Sequence, residues 1–158
     1  MIHVLLNPLS NNKKGQNAEL ELKKIFVDKE ISFTDITSLK NAADFCKNLK
    51  KTDTIIISGG DGTLTRFADD IYSENLKQKV FLYPKGSGND FLHDIKDKCN
   101  FQNNLIPLND YISNLPVVTV NGVTRYFING IGMGLDGFCC EEGDKIRSKS
   151  DKKVNYTT

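Results

Sequence analysis

The segment Ile57-Ser58-Gly59-Gly60-Asp61-Gly62-Thr63-Leu64-Thr65 constrains the fold of this chain more than any other stretch. It follows the β-branched run Thr54-Ile55-Ile56-Ile57 and precedes a helical stripe of Leu64, Phe67, Ala68, Ile71 and Tyr72, which predicts a strand, a glycine turn and a helix in direct succession. Gly59, Gly60 and Gly62 lack the Cβ atoms that would keep a ligand off the main chain, and they permit positive φ. The first N–H groups of the helix have no partner within it and favour an anion. A phosphate cradle is one reading of this segment, and a tight turn with a helix cap is the other. A carboxylate beside phosphates repels them unless a Mg²⁺ ion or a donor lies between, so Asp61 points toward metal-nucleotide chemistry.

A second unit repeats the pattern. Val80-Phe81-Leu82-Tyr83 is a short apolar strand, and Pro84-Lys85-Gly86-Ser87-Gly88-Asn89-Asp90-Phe91-Leu92 supplies a glycine turn and a helix start, with Ser87 and Asn89 as candidate caps. Upstream, Ile2 to Leu6 reads as a buried strand and Asn7 to Gly15 as a polar loop. Leu20, Ile25 and Phe26 fall on helical spacing, and Ile31 to Thr37 alternates with period two as a second strand. Ala42, Ala43, Phe45, Cys46 and Leu49 form a further helical stripe. This alternation predicts an α/β fold, a parallel sheet with helices on both faces. Two glycine turns at neighbouring strand ends would meet at the carboxyl edge of such a sheet, where ligands bind.

Beyond about Leu105 the pattern changes. Pro116 to Ile128 holds two β-rich runs around Asn121-Gly122, a strong hairpin signal. Gly130, Gly132 and Gly134 do not make a dinucleotide fingerprint, because the third glycine is mis-spaced and no βαβ unit follows.

Composition excludes more than it assigns. A formal net charge of +1 gives no support to nucleic-acid binding. Cys46, Cys99, Cys139 and Cys140 show no C-x-x-C spacing, and with two histidines a structural zinc site is not indicated; reduced, partly buried thiols are expected. The apolar runs fall far short of the roughly 20 residues that a membrane span requires. Glu141, Glu142 and Asp144 sit in a segment that reads as a solvated helix face. The basic run Lys145, Arg147, Lys149, Lys152 and Lys153 suits either anionic lipid headgroups or an ordinary surface.

Four blocks in order carry a family resemblance: Asn7-Pro8 after the first strand, Gly59-Gly60-Asp61-Gly62-Thr63, Pro84-x-Gly86-Ser87-x-Asn89-Asp90-Phe91, and Asn129-Gly130-x-Gly132-x-Gly134-x-Asp136. With these the chain resembles the diacylglycerol kinase catalytic domain family, which includes bacterial soluble diacylglycerol and lipid kinases and is related to the sphingosine kinases. The resemblance covers the N-terminal half of that family. It implies a nucleotide-binding α/β domain of the NAD kinase and phosphofructokinase kind over residues 1–109, followed over residues 110–158 by the start of an antiparallel β-sandwich domain. It also implies transfer of the γ-phosphoryl group of ATP, with Mg²⁺, to a lipid hydroxyl at a membrane surface. Diacylglycerol is the expected lipid, phosphatidic acid the product, and the cytoplasm, with peripheral membrane contact, the location.

Carried over by position, the nucleotide contacts are Asn7, Pro8, Leu9, Ser10 and Asn11 in the first loop, Thr37 at the end of the second strand, and Gly59, Gly60, Asp61, Gly62, Thr63, Leu64 and Thr65 in the main loop. Ser87 stands where the family has threonine, and Asn89 and Asp90 are expected to brace the second loop. Ser10-Asn11 replaces the family's usual Ser-Gly. The resemblance places the general base and a Mg²⁺ site in the family's second half, so no catalytic or metal residue is assigned and residues 1–158 alone are expected to be inactive. An NAD kinase-like enzyme shares the Gly-Gly-Asp-Gly-Thr loop, and a truncated non-catalytic nucleotide-binding module is a third reading. The unpartnered hairpin would let two copies pair through β edges.

Overall fold

The computed structural model describes residues 1–98, 101 and 103–149, and of residues 12, 144 and 147–149 the backbone alone. Cys99, Lys152 and Lys153 therefore lie outside the described residues. Four runs rich in β-branched and aromatic residues form the parallel strands β1 (Ile2–Leu6), β2 (Ile31–Asp35), β3 (Thr54–Gly59) and β4 (Lys79–Pro84). A two-residue strand, β5 (Ile106–Pro107), pairs antiparallel with β4 and completes a sheet of order β2-β1-β3-β4-β5.

The chain leaves β1 for β2, then returns across β1 to reach β3. Right-handed crossovers place the helices of these two connections on opposite faces. On one face α2 (Asn17–Ile25) packs Ala18 and Leu22 against Val4, Ile56 and Tyr83. On the other, α3 (Ala42–Lys47), α4 (Asp61–Ile71), α5 (Asp90–Ile95) and α6 (Asn109–Ile112) cover Leu5, Ile55, Ile57, Val80 and Leu82. This is the α/β architecture that the alternation of strands and helices predicts.

Several details differ from the sequence reading. The stripe of α2 is carried by Ala18 and Leu22, with the predicted Ile25 and Phe26 partly buried beside them, while Leu20 is 65% exposed. A leucine two positions from the inward-facing Leu22 is rotated about 200° around the helix and so points outward. Strand β2 stops at Asp35, and Ile36–Ser38 form a 3-10 turn because the Asp35 carboxylate accepts the Thr37 N–H at 2.8 Å. The polar loop after β1 contains a single helical turn, α1 (Ser10–Lys13). Tyr72 closes α4 half-exposed, outside the core.

The hairpin β6 (Val117–Val120) and β7 (Val123–Tyr126) forms where Asn121-Gly122 places it, with both turn residues at positive φ, 52° and 77°. It rests on α4. The Tyr126 N–H donates to Asp69 Oδ1 at 2.8 Å, and the Tyr126 ring stacks on Tyr72 with centroids 3.5 Å apart. Helix α7 (Leu135–Lys149) follows with its face largely solvated, including Glu141. Val117, Val120, Val123, Met133, Leu135 and Phe138 are all exposed.

Candidate functional site

The reversal between β1 and β3 is a topological switch point, and in open α/β sheets the crevice beyond the carboxyl ends of such strands is where ligands bind. In register, Leu6 of β1 lies beside Ser58 of β3 and Asp35 of β2, and Gly59 lies beside Pro84 of β4. Asn7, Thr37, Gly60 and Lys85 therefore emerge along one sheet edge, which brings together residues 78 positions apart.

Hydrogen bonds join these loops directly. The Asn7 N–H donates to the Ser58 carbonyl at 2.9 Å, and its side-chain amide donates to Thr63 Oγ1 at 2.7 Å. Asn7 Oδ1 accepts the Leu9 N–H at 3.0 Å, and Ser10 Oγ donates to the Asn7 carbonyl at 2.9 Å, which folds the first loop back on itself. The Lys85 N–H donates to the Gly59 carbonyl at 2.7 Å.

The glycines are required chiefly by packing between the loops. A Cβ on Gly60 would lie 2.7 Å from the Gly86 Cα, and one on Gly59 would strike Thr63 at 2.5 Å. None of Gly59, Gly60 and Gly62 adopts positive φ; the backbone at Gly60 is extended, at φ −102° and ψ −170°. The freedom anticipated for them is not used. Gly62 differs, since a Cβ there would meet nothing within 4 Å. It leaves the first turn of α4 open to approach, and that turn carries the partial positive charge of an eleven-residue helix.

Asp61 does not project freely toward this opening. Its two carboxylate oxygens accept the N–H groups of Asp90 and Phe91, each at 3.0 Å, and Asn129 Nδ2 donates to it at 3.4 Å. Asp61 thus caps α5 from outside, a role the sequence reading assigned to Ser87 and Asn89. Asn89 instead holds the second turn: at φ 57° its Oδ1 accepts the Gly86 N–H at 2.9 Å and its amide donates to the Gly86 carbonyl at 3.1 Å. Leu64 is fully buried in the core, so its side chain is unavailable to a ligand, and Thr65 is half-buried. Leu9, Asn11, Thr37 and Ser87 are exposed at the same edge, and Pro8 is half-buried.

Two features were not anticipated. Asn129, from the fourth block, reaches Asp61 across 68 positions of sequence. The Lys85 ammonium pairs with Glu21 Oε2 on α2 at 2.6 Å and lies 4.9 Å from the ring centroid of Tyr83, whose hydroxyl donates to the same carboxylate. The bond from Lys85 and then that from Tyr83 hold the Glu21 carboxyl below its ordinary range, and burial pushes the Tyr83 hydroxyl up. Glu21 and Tyr83 are 62 positions apart and gave no local signal.

Among the described residues no cluster of three or more carboxylate, histidine or cysteine groups could hold a metal ion, so none is assigned to Mg²⁺. A cleft of about 270 Å³ opens at the opposite sheet edge, lined by Ile71, Tyr72, Glu74, Leu76, Asn109 and Ile112, away from the converging loops. Among the described residues no helix is long and apolar enough to cross a membrane.

The profile of the diacylglycerol kinase catalytic domain matches residues 1–129. Sphingosine kinase B of Dictyostelium discoideum is 28% identical over 103 residues, 60% of this chain and 14% of that protein. The Staphylococcus haemolyticus protein named "Putative lipid kinase SH2167" is 28% identical over 119 residues, 71% of this chain and 38% of that protein. The chain thus spans well under half the length of these curated relatives.

Proposed function

Because the chain belongs to the diacylglycerol kinase catalytic domain family, we propose that it is the ATP-binding portion of a lipid kinase, with diacylglycerol as the phosphoryl acceptor and residues 110–158 belonging to a second domain. The observation that carries this reading is the convergence of Asn7, the Gly59–Thr63 turn and the Lys85–Asn89 turn at the β1/β3 switch point. In phosphoryl transfer the protein contributes mostly position and charge. Here the first turn of α4 faces the phosphates with its N–H groups, Gly62 leaves room for them, and the Asn7–Thr63 bond sets the distance between the first loop and that turn. Asp61 holds α5, and with it the second turn, against the first. ATP would bring Mg²⁺ with it, as kinases of this kind use the metal complex.

The lipid would be met at a membrane surface from the cytoplasmic side, and the hairpin edges offer a route to a homodimer. Transfer to lipid by residues 1–158 alone is not expected.

Calorimetric titration with Mg-ATP tests the site. Binding should be lost in Gly60→Val, whose side chain would collide with Gly86, and weakened about tenfold or more in Asn7→Ala, which leaves the backbone in place. Unchanged affinity in a folded Asn7→Ala variant would remove this edge from nucleotide binding.

A further inference from the structure

Three loops surround the proposed site, and contacts at the sheet edge tie two of the three pairs directly. The first loop is fixed to the main turn by Asn7, through Ser58 and Thr63. The main turn is fixed to the second turn by the Lys85 N–H, by the Gly60–Gly86 approach and by Asp61. The third side of the triangle runs between the second turn and α2, the helix that the first loop leads into. It is made by side chains. Lys85 Nζ and the Tyr83 hydroxyl both converge on Glu21 Oε2, and the ammonium also rests over the Tyr83 ring.

An isolated exposed ion pair contributes little. Here two donors share one carboxylate oxygen, the cation lies over an aromatic face, Tyr83 is 4% exposed and the Lys85 side chain is 22% exposed. Lys85 is also the one residue between Pro84, where β4 ends, and Gly86, whose Cα meets Gly60. Its main chain is bonded to Gly59 while its side chain is bonded to α2. A change in where that side chain is held is therefore felt one residue away, at the closest approach of the two turns.

We propose that Glu21, Lys85 and Tyr83 form a clasp that sets the width of the nucleotide cradle, with Lys85 a positioning residue and not a ligand of the phosphates. The inference rests on the nucleotide-binding reading above. It differs from the obvious alternative, a lysine in a phosphate loop waiting for its anion, and the two make opposite statements about Glu21. If Lys85 were a phosphate ligand, Glu21→Gln would release it and tighten nucleotide binding. With the clasp, Glu21→Gln loosens the cradle just as Lys85→Met does.

The test is a double-mutant cycle read by calorimetric titration with Mg-ATP, on variants whose melting temperatures show them to be folded. Lys85→Met and Glu21→Gln are each expected to weaken binding about five- to tenfold, and the double variant to be no weaker than either alone. Lys85→Arg should restore binding to within about twofold, since the guanidinium keeps both the carboxylate and the ring. Tighter binding in Glu21→Gln, or additive losses in the double variant, would overturn the clasp. So would unchanged binding in Lys85→Met where Asn7→Ala still weakens it, a result that leaves the nucleotide site standing. No nucleotide binding by the unaltered chain would overturn the site, and the clasp with it.

Discussion

Single residues at this sheet edge show why local sequence reads imperfectly. Asp61 sits inside a glycine turn and invites a role toward phosphate or metal, yet its partners, Asp90 and Phe91, come from 29 and 30 positions downstream. Glu21 and Lys85 pair across a longer separation still, and nothing near either residue announces the other. Cys46 is the reverse case, since its place in a helical stripe already marks it as buried. The structure leaves it with no exposed surface; burial first, then the Asp70 carboxylate, pushes its thiol up to about 12. A thiol reagent at pH 8 should therefore modify the exposed Cys139 and Cys140 quickly and Cys46 only after denaturation, as mass spectrometry of labelled peptides would show. The same shift has a sign for stability. A thiol whose pKa rises on folding stabilises the native state fully below its ordinary 9.0 and loses that contribution as pH climbs from there toward 12. Chemical denaturation at pH 8 and pH 10.5 should show a smaller loss in Cys46→Ala than in the unaltered chain.

The elements themselves were largely legible. Strands β1, β3 and β4 announce themselves as apolar runs, interrupted in β1 by His3, because parallel strands are buried on both faces, and α4 carries a regular stripe of Leu64, Phe67, Ala68 and Ile71. Strand β5 could not be found this way, since two residues hold no period. Helix α2 is legible in part: Ile25 and Phe26 pack against the core as their spacing predicts, whereas Leu20 points outward and the inward-facing Ala18 is too small to stand out beside it. The second turn is marked by its glycines, and Asn89, which the family resemblance assigns as a brace of this loop, shapes it. This side chain holds the backbone in the left-handed region and satisfies both polar groups of Gly86. Asn89→Ala should destabilise the fold by about 2 kcal/mol, from lost hydrogen bonds and left-handed strain. Asn89→Gly, which escapes the strain, should recover about half of that. Equal losses in the two variants, measured by urea denaturation, would mean that backbone conformation at 89 is not under strain.

At the scale of the whole molecule, the hairpin presents an open edge on each side among the described residues, together with exposed Val117, Val120 and Val123. Open edges of this kind pair with copies of themselves. Light scattering should show residues 1–158 passing from monomer to dimer as concentration rises, and Val123→Lys should shift the balance back toward monomer. A monomer at every concentration would remove the edge as an interface. The hairpin also grips α4 at its far end, through Asp69 and Tyr72, while the first turn of the same helix belongs to the nucleotide edge. An α-helix of eleven residues is a stiff rod about 16 Å long. Occupancy at one end should accordingly damp motion at the other, and the Tyr126 amide, bonded to Asp69, is the natural reporter. Its hydrogen exchange should slow when nucleotide binds, and by reciprocity whatever immobilises the hairpin should tighten nucleotide binding. The helix would then be a lever whose two ends answer to different events, and the stacked tyrosines the place where a force on one side becomes an affinity on the other.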